Sequence, residues 1–281
     1  MLAFAGNSLL CRLALKHTSI DAASFTTARL ISGACMLWLV TCWQRRTALT
    51  ALAPAPGAST VAGNWPSAFA LFVYAAGFSF AYISMSAATG ALLLFGAVQA
   101  TMIGYGVYRG ERLQALQVLG CALALGGLVV LMLPGLTRPS ISASLCMLGA
   151  GVAWGVYSLR GKLAQTPGAA NPTLVTAGNF IRTLPMAVVL SLLMLSQLSI
   201  DMNGILFAVA SGALASGIGY AIWYQALPAL ASTHAATVQL SVPVIAAIGG
   251  VVFIGEALTL PMALASVAIL GGIALVILKK K

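Results

Sequence analysis

Two arginines stand where a charge is expensive. Arg29 and Arg182 each fall inside an apolar run of about 20 residues, long enough to cross a bilayer. A charged side chain at the centre of such a helix costs at least about 2.5–3.5 kcal/mol, so each needs a reason. One reason is ligand chemistry: a guanidinium is permanently charged and offers a bidentate fork to a carboxylate. The other is structural, with the guanidinium satisfying carbonyls at a helix end or lying near an interface. The occurrence of one such arginine in each half of the chain favours the structural reading, since a single asymmetric substrate does not need two.

Aromatic residues supply a second pattern. Tyr74, Phe78 and Tyr82 fall at i, i+4 and i+8, one face of a helix. Trp154 and Tyr157 share a face further on, and Tyr220, Trp223 and Tyr224 cluster later. Interfacial belts or helix packing account for many membrane aromatics, and Tyr82 and Tyr224 stand near span ends. Tyr74, Phe78, Trp154 and Tyr157 are the candidates for a cavity wall. The in-span polar residues Asn7, Gln99, Asn179 and Gln239 either tie helices together or face a pathway, and Gln99 and Gln239 favour the pathway. Tyr82, Asn179 and Trp223 complete the candidate substrate-binding set. Pro185 and Pro243 interrupt the backbone ladder and are candidate hinges or kinks.

Other chemistry lacks its residues. There is no P-loop for ATP, no Ser/His/Asp set, no paired carboxylates and no Cys/His cluster. His17 and His234 sit at span ends without a second ligand, and the five cysteines lie mostly within apolar runs without C-x-x-C spacing. The expectation is a protein that is not an enzyme and uses no metal or cofactor. The four acids, Asp21, Glu111, Asp201 and Glu256, all lie near turns. No acid is therefore placed for a proton relay, and transport without obligatory ion coupling is expected.

The elements that position these residues follow from composition. Hydrophobic residues make up 60% of the chain and charged residues 6%, against about 25% charged in a soluble domain. This is an all-α integral membrane protein, and the lipid bilayer is its first partner. Apolar runs predict ten spans, at 2–16, 22–43, 66–84, 87–108, 114–133, 141–162, 173–197, 203–226, 232–254 and 258–278. A flexible loop is expected over 45–66 and a boundary between halves over 133–140. The net charge of +10 is a topology signal and does not point to nucleic acid. With both termini inside, nine Lys and Arg flank the spans on that side and three on the other. A multi-pass protein of the bacterial inner membrane, with both termini cytoplasmic, is expected, and a monomer is favoured.

The chain also repeats itself. Gly110, Glu111, Leu113, Leu119, Leu125, Gly126 and Gly127 recur as Gly255, Glu256, Leu258, Leu264, Leu270, Gly271 and Gly272, all 145 residues on. Arg109 and Arg112 flank the first Gly-Glu turn and no Lys or Arg adjoins the second, so the two fall on opposite sides. The reading is two inverted five-helix repeats, residues 1–135 and 136–281, the architecture many secondary transporters use for alternating access. The glycine pairs offer each half's last helix a face for close contact.

These residues carry a resemblance. Trp154-Gly155 opening the second half, the in-span Arg29 and Arg182, Ser241-Val242-Pro243 and both Gly-Glu turns resemble the drug/metabolite transporter superfamily, in its EamA-type branch of ten-helix bacterial exporters. The chain departs from the pattern at Ala5-Gly6, where the family often has Trp-Gly, and at Val98, where Pro243 would repeat. The resemblance implies secondary transport of a small molecule, with amino acids and other small zwitterionic metabolites foremost. Uptake and lipophilic drug efflux are the near alternatives, and a membrane scaffold without transport is the alternative of another class.

Overall fold

The computed structural model describes residues 1–49, 62–110, 112–132, 139–163, 171–226 and 238–278. Most of the expected 45–66 loop and of the 133–140 boundary lies outside them, as do Glu111, His234 and the terminal Lys279, Lys280 and Lys281. Among the described residues the chain is helical and holds no strand. The helices are α1 (Leu2–His17), α2 (Ala22–Leu49), α3 (Trp65–Tyr82), α4 (Ala87–Tyr108) and α5 (Ala115–Met132), then α6 (Ile141–Leu163), α7 (Pro172–Leu193), α8 (Met202–Ala226), α9 (Ser241–Ile254) and α10 (Leu260–Leu278). Among the described residues six of them, α2, α4, α6, α7, α8 and α10, are long and apolar enough to cross a membrane; α5 and α9 contain shorter apolar stretches.

Helix starts carry their own caps, as they must where water is scarce. The side chains of Asn64, Ser86, Asn171 and Asp201 accept from the backbone N–H of Ser67, Thr89, Thr173 and Gly204 at 3.0, 3.2, 2.9 and 3.0 Å. Gly255 ends α9 in the left-handed region, at φ 66° and ψ 28°, and Gly110 has φ 94°. Both glycines of the repeated Gly-Glu turns therefore stand where a Cβ is disfavoured.

Two differences from the hydropathy reading have plain causes. Helix α2 runs past residue 43 to Leu49, because Gln44, Arg45 and Arg46 end an apolar run but are good helix formers. Helix α8 winds as a π-helix over Ala210–Ile218, a change of pitch that an apolar run does not disclose.

The main pairings cross between the first five helices and the last five. Helix α5 packs on α10, α2 on α7, and α4 on α9; α3 packs on α6 and α7, while α1 and α2 pack on α8. Helix α4 lies against both α6 and α9, and α1 also meets α9. In the α5–α10 contact only one member of each glycine pair works. A Cβ on Gly127 would come within 3.0 Å of the Ala265 carbonyl, and one on Gly272 within 2.7 Å of the Ala124 nitrogen. Gly126 and Gly271 have nothing within 4 Å. Gly272→Ala is expected to force the helices apart and lower the melting temperature in detergent, at a cost of about 1–3 kcal/mol. Gly271→Ala should leave it unchanged, and equal melting of the two variants would contradict this packing.

Asp21 fastens two turns at one end of the bundle. Its carboxylate accepts from Ala23 and Ser24 N–H at 2.9 Å each and from Ser199 N–H at 3.0 Å. Partial burial works to raise its pKa, but the bonds from Ser199, Ser24 and Ala23 outweigh it and hold the carboxyl below its ordinary value. A depressed pKa contributes stability above the unfolded value, and that stability is lost as pH falls through the folded value. Both oxygens accept, and an amide NH2 cannot replace one of them, so Asp21→Asn should melt lower than the parent at neutral pH, by about 1–2 kcal/mol. The gap should close in acid below the carboxylate range. A gap independent of pH would remove the charge from the explanation.

Candidate functional site

The helical spacing of Tyr74, Phe78 and Tyr82 does place three rings in one column. All are buried, with centroids 5.5 Å apart for Tyr74–Phe78 and 4.7 Å for Phe78–Tyr82. Trp154 on α6 meets Tyr74 at 4.8 Å and Tyr157 at 5.6 Å, and Tyr220 on α8 meets Trp154 at 5.0 Å. Phe4 of α1 sets its edge against Trp154, Tyr220 and Trp223, and Phe180 of α7 against Tyr220. Five helices, α1, α3, α6, α7 and α8, thus build one continuous aromatic wall. Pairs in this geometry stabilise beyond their area by about 0.5–1.5 kcal/mol each.

Arg29 projects into this wall from α2. It is 1% exposed. Its Nη2 donates to the Tyr74 hydroxyl at 3.1 Å, and its guanidinium carbon lies 5.2 Å from the Tyr74 ring centre and 4.9 Å from that of Phe78. Asn7 also donates to the Tyr74 hydroxyl, at 3.2 Å, and in turn accepts from Ser211 on the π-wound segment of α8. Arg29 Nη1 is buried with no partner. Nor does a described carboxylate approach it: Asp21 and Asp201 cap helices, and among the described residues the one ion pair is Arg12–Glu256. Two ring faces offset part of the cost of this charge; a buried guanidinium with an idle N–H remains poised for an anionic oxygen.

Arg182 behaves differently. Its Nη1 donates to the Ala62 and Gly178 carbonyls, each at 2.9 Å. It fastens the chain before α3 to α7. The two arginines that look alike in sequence are thus chemically unlike.

The wall ends differently at its two extremes. Beyond Phe78, Tyr82 sits under an ion pair: Arg12 Nε meets Glu256 at 3.0 Å, and Arg12 Nη1 donates to the Tyr82 and Ile83 carbonyls at 3.0 Å each. Glu256 also accepts from Ala87 N–H at 2.8 Å, at the start of α4. At the other extreme, Tyr157 meets Tyr224 at 6.1 Å and receives a 3.4 Å bond from Asn179. These residues line a small cleft with Asn64, Ser67 and Arg160.

The remaining candidates stand apart from this network. Gln99 on α4 is 4% exposed with Nε2 unpartnered, and Gln239 lies just before α9 at 9%; among the described residues no hydrogen bond joins either to the wall. Pro185 lies inside α7 on an exposed face, and Pro243 in the first turn of α9, where a missing N–H costs little. Sequence reasoning missed Phe4, Phe180 and Ser211. Phe4 stood one turn before Asn7 on the same face, a signal available in the spacing; Ser211 had none.

Known proteins fit this arrangement. Residues 141–278 match the model of the EamA-like transporter family. An uncharacterized protein of Pseudomonas aeruginosa is 52% identical over 277 residues, covering 99% of this chain and 91% of that one. The chain belongs to the EamA-like transporter family. It is thus a multi-pass membrane protein of the drug/metabolite transporter superfamily. This EamA-family chain is also 31% identical over 175 residues, 58% of each chain, to a protein of Salmonella typhimurium named a probable amino-acid metabolite efflux pump. A solved crystal structure superposes with a TM-score of 0.64 over 98% of this chain and 96% of that one. Its 20% identity speaks for the fold alone.

Proposed function

We propose that this EamA-family protein is a secondary transporter of the bacterial inner membrane that exports small zwitterionic metabolites, amino acids first, by alternating access without ATP. One observation carries the reading: a buried guanidinium with a free N–H and, among the described residues, no acidic partner stands within a cage of rings. A carboxylate completes the guanidinium, and an apolar side chain lies against the rings. The same positive charge disfavours lipophilic cations, which sets drug efflux second.

The architecture proposed is ten spans in two inverted repeats, 1–135 and 136–281, with both termini cytoplasmic. The pairings support it. Exchanging each helix for the one five places on turns α3–α6 into α8–α1, α4–α6 into α9–α1 and α3–α7 into α8–α2. All of these contacts occur, and α2–α7, α4–α9 and α5–α10 map onto themselves. Under that arrangement Arg12–Glu256 closes the outer end and the Arg160 cleft lies at the inner one.

The test is flux of a panel of radiolabelled amino acids into proteoliposomes, with matched amides and amines lacking the carboxylate. Saturable flux of at least one amino acid and none of its amide is expected. Equal flux of acid and amide, or accumulation of lipophilic cations alone, would refute the proposal.

A further inference from the structure

The cleft at the Arg160 end has a chemistry of its own. Arg160, on the last turns of α6, donates through Nε to Ser67 Oγ at 3.0 Å and through Nη2 to Asn64 Oδ1 at 3.1 Å. Both acceptors are neutral, so among the described residues the cation is oriented without being neutralised. Across the cleft the Tyr224 hydroxyl is buried, with its residue 3% exposed, and has no hydrogen-bond partner among the described residues; Ser158 lies close by. Asn179 is already committed, accepting from Asn64 N–H at 2.9 Å and donating to Tyr157. The groups of the cleft left to meet a ligand are therefore a guanidinium, which only donates, and a phenol hydroxyl that can donate beside it. A cationic donor with a hydroxyl beside it favours an anionic oxygen.

We infer that this cleft is a second carboxylate site, a loading subsite where a zwitterionic solute pauses before passing the rings to Arg29. The inference rests on the transport reading above. The two cations are separated by a continuous series of rings, Tyr224, Tyr157, Trp154 and Tyr74, with consecutive centroids 6.1, 5.6 and 4.8 Å apart. A solute passes this series of rings only by displacing them. A subsite on the near side keeps the solute's carboxylate paired until they part, which lowers the desolvation cost of reaching the centre.

Glycine is the probe, because it carries the zwitterion common to all amino acids and nothing else. The protein is labelled with 3-fluorotyrosine in phosphatidylcholine nanodiscs, and the Tyr224 fluorine signal is assigned by its loss in Tyr224→Phe. Glycine should shift that signal saturably and glycinamide should not. Arg160→Gln should raise the midpoint about tenfold or more, the loss of a charge-assisted hydrogen bond. Arg29→Met should leave it within about twofold, because the subsites are separate. Tyr224→Phe removes a hydroxyl with no hydrogen-bond partner among the described residues, so its melting temperature should hold while kcat/KM for transport falls about tenfold.

No shift up to 100 millimolar glycine, a shift with glycinamide, or an unchanged midpoint in Arg160→Gln would overturn the inference. So would loss of the shift in Arg29→Met, which would mean one site and not two. An anionic lipid headgroup offers the same oxygens; if phosphatidylglycerol alone moves the signal and blocks glycine, the occupant is lipid and the loading role falls. Failure of the central reading shows elsewhere, as intact transport in Arg29→Met.

Discussion

Arg29→Met should give a protein that melts no lower than the parent and transports almost nothing. Arg29 is 1% exposed, has no acidic partner among the described residues, and leaves Nη1 unbonded. Exchanging a buried, incompletely paired charge for an apolar chain of similar length is commonly neutral or stabilising. Tyr74 would keep its bond from Asn7. On the proposed reading transport loses the cation that holds the substrate carboxylate, with two charge-assisted bonds, so kcat/KM should fall at least about 100-fold. Arg29→Lys retains the charge without the fork and should lose about tenfold. Arg182→Met is the contrast. It strips a donor from the Ala62 and Gly178 carbonyls and should melt lower, while transport per folded molecule changes little. Thermal melting in detergent and proteoliposome flux read both quantities. A less stable Arg29→Met that still transports would assign Arg29 the structural role as well.

That contrast marks what the sequence could disclose. The helical spacing of Tyr74, Phe78 and Tyr82, and of Trp154 and Tyr157, reports a shared face, and shared faces survive folding because the helix period is fixed by the backbone. Helix limits in apolar runs were equally legible, as at Ala87–Tyr108, where the expected and observed bounds coincide. Partners were not. Nothing in the sequence distinguishes Arg29 from Arg182, because the difference is which carbonyls and rings a neighbouring helix happens to present. The link between Arg12 and Glu256 spans 244 residues, and charge content alone could not select that partner. The π-wound stretch that brings Ser211 to Asn7 is likewise a property of packing, since small residues such as Gly212 and Gly217 permit either winding.

Breaking the Arg12–Glu256 pair should open the bundle at that end, and the chain carries its own reporter. Glu256 holds Arg12 at 3.0 Å and the α4 start at 2.8 Å, while Arg12 holds the Tyr82 and Ile83 carbonyls at the end of α3. One carboxylate therefore draws together α1, α3, α4 and the turn after α9. The side chains are 13% and 10% exposed, so the pair is nearly but not wholly removed from solvent. Deleting one partner of a fully buried pair costs about 3–5 kcal/mol, and with partial solvation about 1.5–3 kcal/mol is the better figure. Such a loss shifts a closed-to-open equilibrium by about 10- to 100-fold. Cys11, one residue before Arg12, is wholly buried and so unreactive while the end stays shut. With Cys35, Cys42, Cys121 and Cys146 replaced by serine, an impermeant maleimide applied to intact cells should label Cys11 about 10- to 100-fold faster in Glu256→Ala than in the parent. Glu256→Gln keeps an acceptor without the charge and should fall between them. General loosening is excluded by Asp21→Asn, which weakens a different junction and should leave Cys11 protected. If Glu256→Ala folds and Cys11 stays as slow to label as before, the pair is a surface ornament and the closure of this end lies in the Phe78–Tyr82 rings beneath it.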